Sequence, residues 1–273
     1  MRTLCRTLDV SPSGYYAWRT RPRSGRAQQD EVLRRQMRVA AATGRGTYGW
    51  PRLQHALRYA GYRVGPHRLR RLMRLEDLRG RAPRRWRGTT CADAHAVPAP
   101  NLLQQQFAVA MPNRVWGADI TAIPAQNGWL YLAVLLDFCS RRIVGWAIRP
   151  TLHSDLVCAA LHLALGRRSL RGRVLHHSDR GAQYTSDRYQ QLLAQAGFSC
   201  SMSRAGNCYD NAPVESFFRT LKRDLFDHPA GTTREAAAAI AEYIERFYNR
   251  ERLHSSLNYR SPATFEATFE MAI

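Results

Sequence analysis

"NRVWGADITAIPAQNGWLYLAVLLDFCSRRIVGWAI", residues 113–148, decides the fold. Two apolar runs flank Asn127-Gly128, a pair that readily takes the positive-φ conformations of a tight hairpin. A polar turn at Ser140–Arg142 leads into a third apolar run. The reading is a three-strand antiparallel meander over 115–123, 129–137 and 142–148. Downstream the period changes. "SDLVCAALHLALGRR" has the spacing of an amphipathic helix, "RVLHHSD" is a short strand, 186–196 is helical and 198–202 is a brief strand. In "NCYDNAPVESFFRTLKRDLF" (207–226), Val214, Phe217, Phe218, Leu221 and Leu225 recur at helical spacing, and a last long helix spans about 232–249. A meander followed by alternating helix and strand predicts one mixed sheet in an α/β layer architecture.

Upstream of the meander the composition differs. The chain has 273 residues and a formal net charge of +20, yet residues 1–90 hold 22 Arg and no Lys against five acids. One end is therefore a polycation and the other nearly balanced, the pattern of a nucleic-acid-binding part joined to a working part. "QQDEVLRRQMRVAAATG" (28–44) predicts a helix with Val32, Leu33, Met37 and Ala40 on one side, stopped by Gly44. Pro51 opens a helix carrying Leu53, Ala56 and Leu57. "AGYRVG" turns, and a second helix carries Arg68, Arg70, Arg71 and Arg74. That arrangement is helix-turn-helix-like, with Arg52, Arg68 and Arg71 as candidate DNA contacts. The opening "LCRTLDVSPSGYYAWRTRPR" reads as two short helices about a turn, with Ser11 and Ser13 as candidate caps and Pro22 as the stop. The expected organisation is a helical arm (1–45), a basic helix-turn-helix-like region (46–90), a Pro/Ala-rich linker (91–112), a catalytic core (113–228), and a C-terminal helix and tail (229–273).

Three carboxylates stand out. Asp119 lies inside an apolar strand, where an acid is costly unless a positive group meets it. Asp179 ends the fourth strand, at the carboxyl edge where open α/β sheets carry their sites. Glu215 sits in the first turn of the 207–226 helix, with Arg219 and Lys222 on the same face. Taken singly, Glu215 could serve the helix dipole or a capping box, and Asp179 could cap a loop. Together they suit Mg²⁺ or Mn²⁺, since converging carboxylates need cations and hard oxygen donors select those ions. Two such ions can activate an attacking oxygen and stabilise a leaving one. No phosphate-binding Gly loop competes: "GRGTYGW" lacks the Lys-Ser/Thr pair. The six cysteines form no CxxC pair, and no run is long and apolar enough to span a membrane. An intracellular chain is expected.

At these residues the sequence resembles the OrfB-type transposases of bacterial insertion sequences, in the DDE transposase and retroviral integrase superfamily. The similarity runs through "YGWPRL", "RLMRLEDL", "VWGADIT", "HHSDRGAQYTS", "SRAGNCYDNAPVESFFRTLK" and "YNRERLHSSLNYRSPATF", in family order over most of the chain. Asp179 and Glu215 are separated by 35 positions, and Lys222 follows seven after Glu215. The resemblance implies an RNase H-like core in which Asp119, Asp179 and Glu215 ligate two Mg²⁺ ions. Water would free a 3′-hydroxyl at an element end, and that hydroxyl would attack a second phosphodiester. It also implies that Lys222, with Arg219 beside it, contacts DNA near the reactive end. The implied partners are element-end and target DNA, further copies of the chain on that DNA, and an upstream OrfA product that supplies end recognition. The function of the "RLHSSL" stretch with His254 is left open.

Other polar residues carry smaller expectations. Asp137 reads as a cap for Ser140, and Asp210 as a cap or turn residue beside the site. Trp116 reads as core. His176 and His177 read as strand-end histidines, with His177 a candidate to support the site or a phosphate. Asn211 is a candidate to orient Glu215. Two other functions stay open: a nuclease that hydrolyses without joining, and a non-catalytic DNA-binding repressor of its own element.

Overall fold

The computed structural model describes residues 1–81, 99–204, 208–226 and 231–270. They divide into two units, Met1–Gly80 and Arg81–Ile273.

The first unit is helical: α1 (Arg2–Thr7), α2 (Pro12–Thr20), α3 (Gly25–Thr43), α4 (Trp50–Tyr59) and α5 (Pro66–Leu75). Its core joins Leu33, Met37 and Ala41 of α3 to Leu53 and Leu57 of α4 and Leu69, Leu72 and Met73 of α5. The predicted stripe on α3 is therefore rotated. Val32 is exposed, because the i, i+4, i+8 positions 33, 37 and 41 form the inner face instead. Two buried-edge acids tie the helices by charge. Asp30 of α3 accepts from Arg68 at 2.7 Å and from Arg71, and Glu76 accepts from Arg38 at 2.8 Å and from Arg34.

The second unit is built on a five-stranded sheet ordered β3-β2-β1-β4-β5. The strands are β1 (Val115–Ala125), β2 (Gly128–Asp137), β3 (Ile143–Arg149), β4 (Leu175–Ser178) and β5 (Ser199–Met202). The first three pair antiparallel, and β4 and β5 add parallel strands on the other side of β1. This is the mixed RNase H-like sheet that was expected, with the meander where the sequence places it. The hairpin differs in detail: Gln126 and Asn127 make the connection, and Gly128, at φ 138°, already pairs with Ala125.

Alternation along the strands divides the core into two. Leu130, Leu132, Val134 and Leu136 of β2 face one layer, with Val214, Phe217, Phe218 and Leu221 of α9 (Ala212–Leu225). Ala133 and Leu135 face the other layer, with α6 (Ser154–Arg167) and α8 (Asp187–Gln195). Two glycines permit close approach. A Cβ at Gly145 would overlap Ala160 and Ala164 of α6. One at Gly117 would overlap the Phe138 ring and stand 2.8 Å from Val214 Cγ2. Gly117 thus lets α9 settle directly on β1.

The long helix expected at the C-terminal end is only partly regular. α10 (Thr233–Glu242), opened by a Thr232–Glu235 capping box, passes into a wider π-helical segment, Tyr243–Glu251. That segment sends Tyr243, Ile244, Phe247 and Tyr248 into the layer shared with α9. It also brings the Asn249 amide onto the backbone of Ile143, in a pair of bonds of 2.9 and 3.0 Å. This region is thus part of the core rather than a tail. A further helix, α11 (Pro262–Glu270), follows. Its buried Glu266 bonds Ser140, Arg142 and Arg168, at 2.6, 2.6 and 2.7 Å.

Residues 91–98 of the 91–112 stretch, read as linker, lie outside the described residues. The described part is strapped to the sheet: Leu103 is buried, and the N–H groups of Leu102 and Leu103 donate to Ser201 Oγ.

Candidate active site

The parallel register of β1 and β4 brings two of the three acids together. Gly117 pairs with His177, so Asp119, two residues further along β1, comes near Asp179, which directly follows the end of β4 and whose charge acts on Asp119. The third comes from α9. Val214 packs on Gly117, and Glu215 follows it at the start of the helix. Asn211, the residue before α9, donates its side-chain amide to Ala118 O at 2.9 Å, which fixes the helix start against β1 beside Asp119. No side-chain cap closes this helix start, so Glu215 takes part in no capping box.

All three acids are half-buried. Asp119 Oδ1 accepts from Ile120 N–H at 2.7 Å and Asp179 Oδ1 from Gly181 N–H at 2.9 Å. These backbone donors orient both carboxylates. Desolvation, followed by the charges of Asp179 and Glu215, pushes the Asp119 carboxyl well above its ordinary range, against the opposing pull of Lys222. Glu215 is raised as well, chiefly by desolvation, with Arg219 opposing. Lys222 is half-buried and lowered by desolvation, while Asp119 holds its charge. Acids whose charges add to the desolvation of Asp119 are a donor set short of positive charge. Among the described residues no three His, Cys, Asp or Glu side chains close into a ready metal cage. A Mg²⁺ site needs no such cage, since that ion keeps waters and phosphate oxygens among its ligands. The acids fit a divalent cation on this ground.

Asp137 is a turn cap: its oxygens accept from the N–H groups of Asn113, Cys139 and Ser140. Trp116 is wholly buried against Phe198. Asp210, buried before α9, accepts from Asn101, Gln105 and Arg204, and Arg204 holds its carboxyl well below the usual range. His177 spends both ring nitrogens on Ser201 and Ser203 of the β5 edge, at 2.9 and 3.1 Å, and burial lowers it to about 4. His176 meets the Tyr189 hydroxyl at 2.8 Å. Arg219 is exposed on α9. In the first unit, Arg68 and Arg71 reach back to Asp30, while Arg52 stands over the Tyr48 ring, 5.9 Å from its centroid.

One residue was not foreseen. Tyr184, on the short helix α7 (Ala182–Thr185), is buried, and its hydroxyl has no hydrogen-bond partner among the described residues. Desolvation, then the nearby charge of Asp119, drives its pKa well up, with Asp179 also contributing. Its place in "SDRGAQYTS", five residues after Asp179, was the available signal.

The family described as "Integrase core domain" matches residues 109–208, and a second of the same description matches 196–262. An "HTH-like domain" matches 27–86. The insertion element IS600 uncharacterized 31 kDa protein of Shigella sonnei is 44% identical over 267 residues, covering 97% of this chain and 98% of that protein. Transposase InsF for insertion sequence IS3A of Escherichia coli (strain K12) is 40% identical over 270 residues, covering 97% and 93%. The chain belongs to the insertion-sequence transposases. This transposase is an enzyme of the DDE transposase and integrase superfamily, with a DNA-binding HTH-like domain before its core. Among solved structures, the HTLV-2 integrase catalytic core domain in complex with magnesium is 16% identical with a TM-score of 0.46, over 57% of this chain and 97% of that one. No helix among the described residues is long and apolar enough to cross a membrane.

Proposed function

We propose that this transposase cuts and joins DNA strands through Asp119, Asp179 and Glu215, acting with two Mg²⁺ or Mn²⁺ ions at the ends of its element. The observation that carries the reading is the convergence of Asp179 and Glu215 on Asp119, whose carboxyl desolvation and then these two charges push well above its ordinary range. Bound cations would supply Lewis acidity at the scissile phosphate and activation of the attacking oxygen. The chain's own residues do the rest. Ile120 and Gly181 hold the two aspartates in fixed orientations. Lys222, beside Asp119, and Arg219 give the phosphate backbone a cationic approach along α9. Arg52, Arg68 and Arg71 are the proposed DNA contacts of the first unit, the last two through N–H donors that Asp30 leaves over. Asn211 and His177 stiffen the frame behind the acids. Joining two ends requires more than one copy on the DNA, and an upstream OrfA product is the proposed further partner.

The test is cleavage and joining of a labelled element-end duplex with Mg²⁺, comparing the wild type with Glu215→Gln. Wild-type products that vanish in the variant, with DNA binding kept, support the reading. Products of equal yield in both would overturn the role of the acids. Products from cleavage alone would make the chain a hydrolytic nuclease.

A further inference from the structure

The first twenty residues form a pair of short helices, Arg2–Thr7 and Pro12–Thr20. α1 ends as Asp9 takes a left-handed φ of 50° and Val10 N–H reaches back to Cys5 O at 2.9 Å, a left-handed helix stop. Ser11 then caps α2, accepting from Gly14 N–H at 3.3 Å, and Pro12 opens its first turn. Helix, a four-residue connector with one left-handed residue, and a nine-residue helix make the helix-turn-helix layout. Cys5 is buried and Tyr15 half-buried, while Ser13, Tyr16, Arg19 and Thr20 of α2 are exposed.

Charge points the same way. Residues 1–29 carry Arg2, Arg6, Arg19, Arg21, Arg23 and Arg26 against Asp9 alone. None of the six has an acidic partner among the described residues, whereas Arg68 and Arg71 of α5 are both held by Asp30. These six arginines, exposed and outside the 27–86 match, add to the exposed Arg58, Arg63 and Arg74 inside it.

We propose that residues 2–26 are a second duplex-DNA-binding helix-turn-helix, with α2 laid in a major groove and the flanking arginines on the phosphates. The proposal rests on the reading of the chain as a protein that works on DNA. A nine-residue helix is roughly 13 Å long, enough to present Ser13, Tyr16 and Thr20 along a groove about 12 Å wide. Leu4, Leu8 and Trp18 are also exposed, so a protein partner on this pair is the competing outcome.

The experiment is salt-titrated binding and hydroxyl-radical footprinting of the full chain on an element-end duplex. It compares the wild type with Arg6→Gln/Arg19→Gln/Arg23→Gln, Tyr16→Ala, and Arg70→Gln/Arg74→Gln on α5. Slow thiol labelling of buried Cys5 reports that the pair stays folded. The triple variant should lose on the order of tenfold in affinity and reduce the salt slope by about one per phosphate contact removed. Both it and Tyr16→Ala should lose a protected patch of a few base pairs that the α5 variant keeps. An unchanged slope and footprint overturn the proposal. So does normal DNA binding by the triple variant together with a changed oligomeric state in Leu8→Ser/Trp18→Ser, which would assign the pair to a protein. Wild type that shows this patch but cuts no strand even with the OrfA product added would leave the proposal standing and sink the catalytic reading; wild type that binds no duplex would overturn the proposal while strand cleavage with the OrfA product added still tests the catalytic reading.

Discussion

Asn211 holds Ala118 across the start of α9, its amide donating to the backbone carbonyl one residue before Asp119. The bond is buried, 2.9 Å long, and ties the helix of Glu215 to the strand of Asp119. Asn211→Ala should destabilise the second unit by about 1–3 kcal/mol, the usual effect of leaving a buried partner unsatisfied. It should also raise the Mg²⁺ concentration needed for half-maximal strand cleavage while DNA affinity stays as in the wild type. A Mg²⁺ titration of cleavage, run beside a urea melt, separates the two effects. Lower stability with an unaltered Mg²⁺ requirement would leave Asn211 a structural residue only.

Arg252 meets Asp224 in the interior, both side chains almost fully enclosed. Tyr243 donates to the same carboxylate at 2.8 Å, as does Arg223 from the neighbouring position. Arg252→Met strands part of a buried charge and should cost about 3–5 kcal/mol. Asp224→Asn/Arg252→Met should recover a good part of that loss, because the uncompensated anion is gone. Urea unfolding of the three proteins checks this. A single variant within 1 kcal/mol of wild type would mean that Tyr243 and Arg223 suffice for Asp224.

The strands and α9 were legible because local signals agree there. Asn127-Gly128 marks the hairpin, alternation marks the two faces of β2, and the stripe Val214, Phe217, Phe218, Leu221 marks the buried side of α9. The three acids could be picked out as misfits to their own elements, and register then explains how two of them meet. What stayed hidden depends on distant partners. Arg68 and Arg71 look like open cations until Asp30, 38 and 41 residues away, is brought to them. Val32 looks like core until α3 is rotated by its neighbours. The π-helical turn over Tyr243–Glu251 leaves no mark in the sequence, since its apolar spacing also suits an α-helix.

His176 and His177 are buried and held neutral, lowered to about 3 and about 4, chiefly by desolvation. An unfolded chain takes up these protons near pH 6.5, where the folded one does not. Their contribution is therefore present in full above about pH 6.5 and is lost as pH falls toward the folded values. Stability should drop by a few kcal/mol between pH 7 and pH 4.5, a window above the titration of the ion-paired acids. Urea midpoints at pH 7.5, 6, 5 and 4.5 test it, with His177→Gln flattening part of the slope. A flat profile in the wild type would mean that the imidazoles protonate without opening the sheet edge.

The buried hydroxyl of Tyr184 finds no partner among the described residues yet lies close enough to Asp119 and Asp179 to feel both charges. A buried hydroxyl left unpaired costs about 1–3 kcal/mol. Tyr184→Phe keeps the ring contact with Tyr189 at 5.5 Å and the one with His176 at 6.2 Å, so the fold should be unharmed or slightly more stable. If the neutral hydroxyl donates to an oxygen brought between the two aspartates, cleavage should fall about fivefold to tenfold, the rate equivalent of one ordinary hydrogen bond. Single-turnover cleavage at saturating Mg²⁺, read beside the thermal midpoint, decides the matter. A higher midpoint with an undiminished rate would make the hydroxyl a packing residue, and a lower rate at an equal or higher midpoint would make it part of the site.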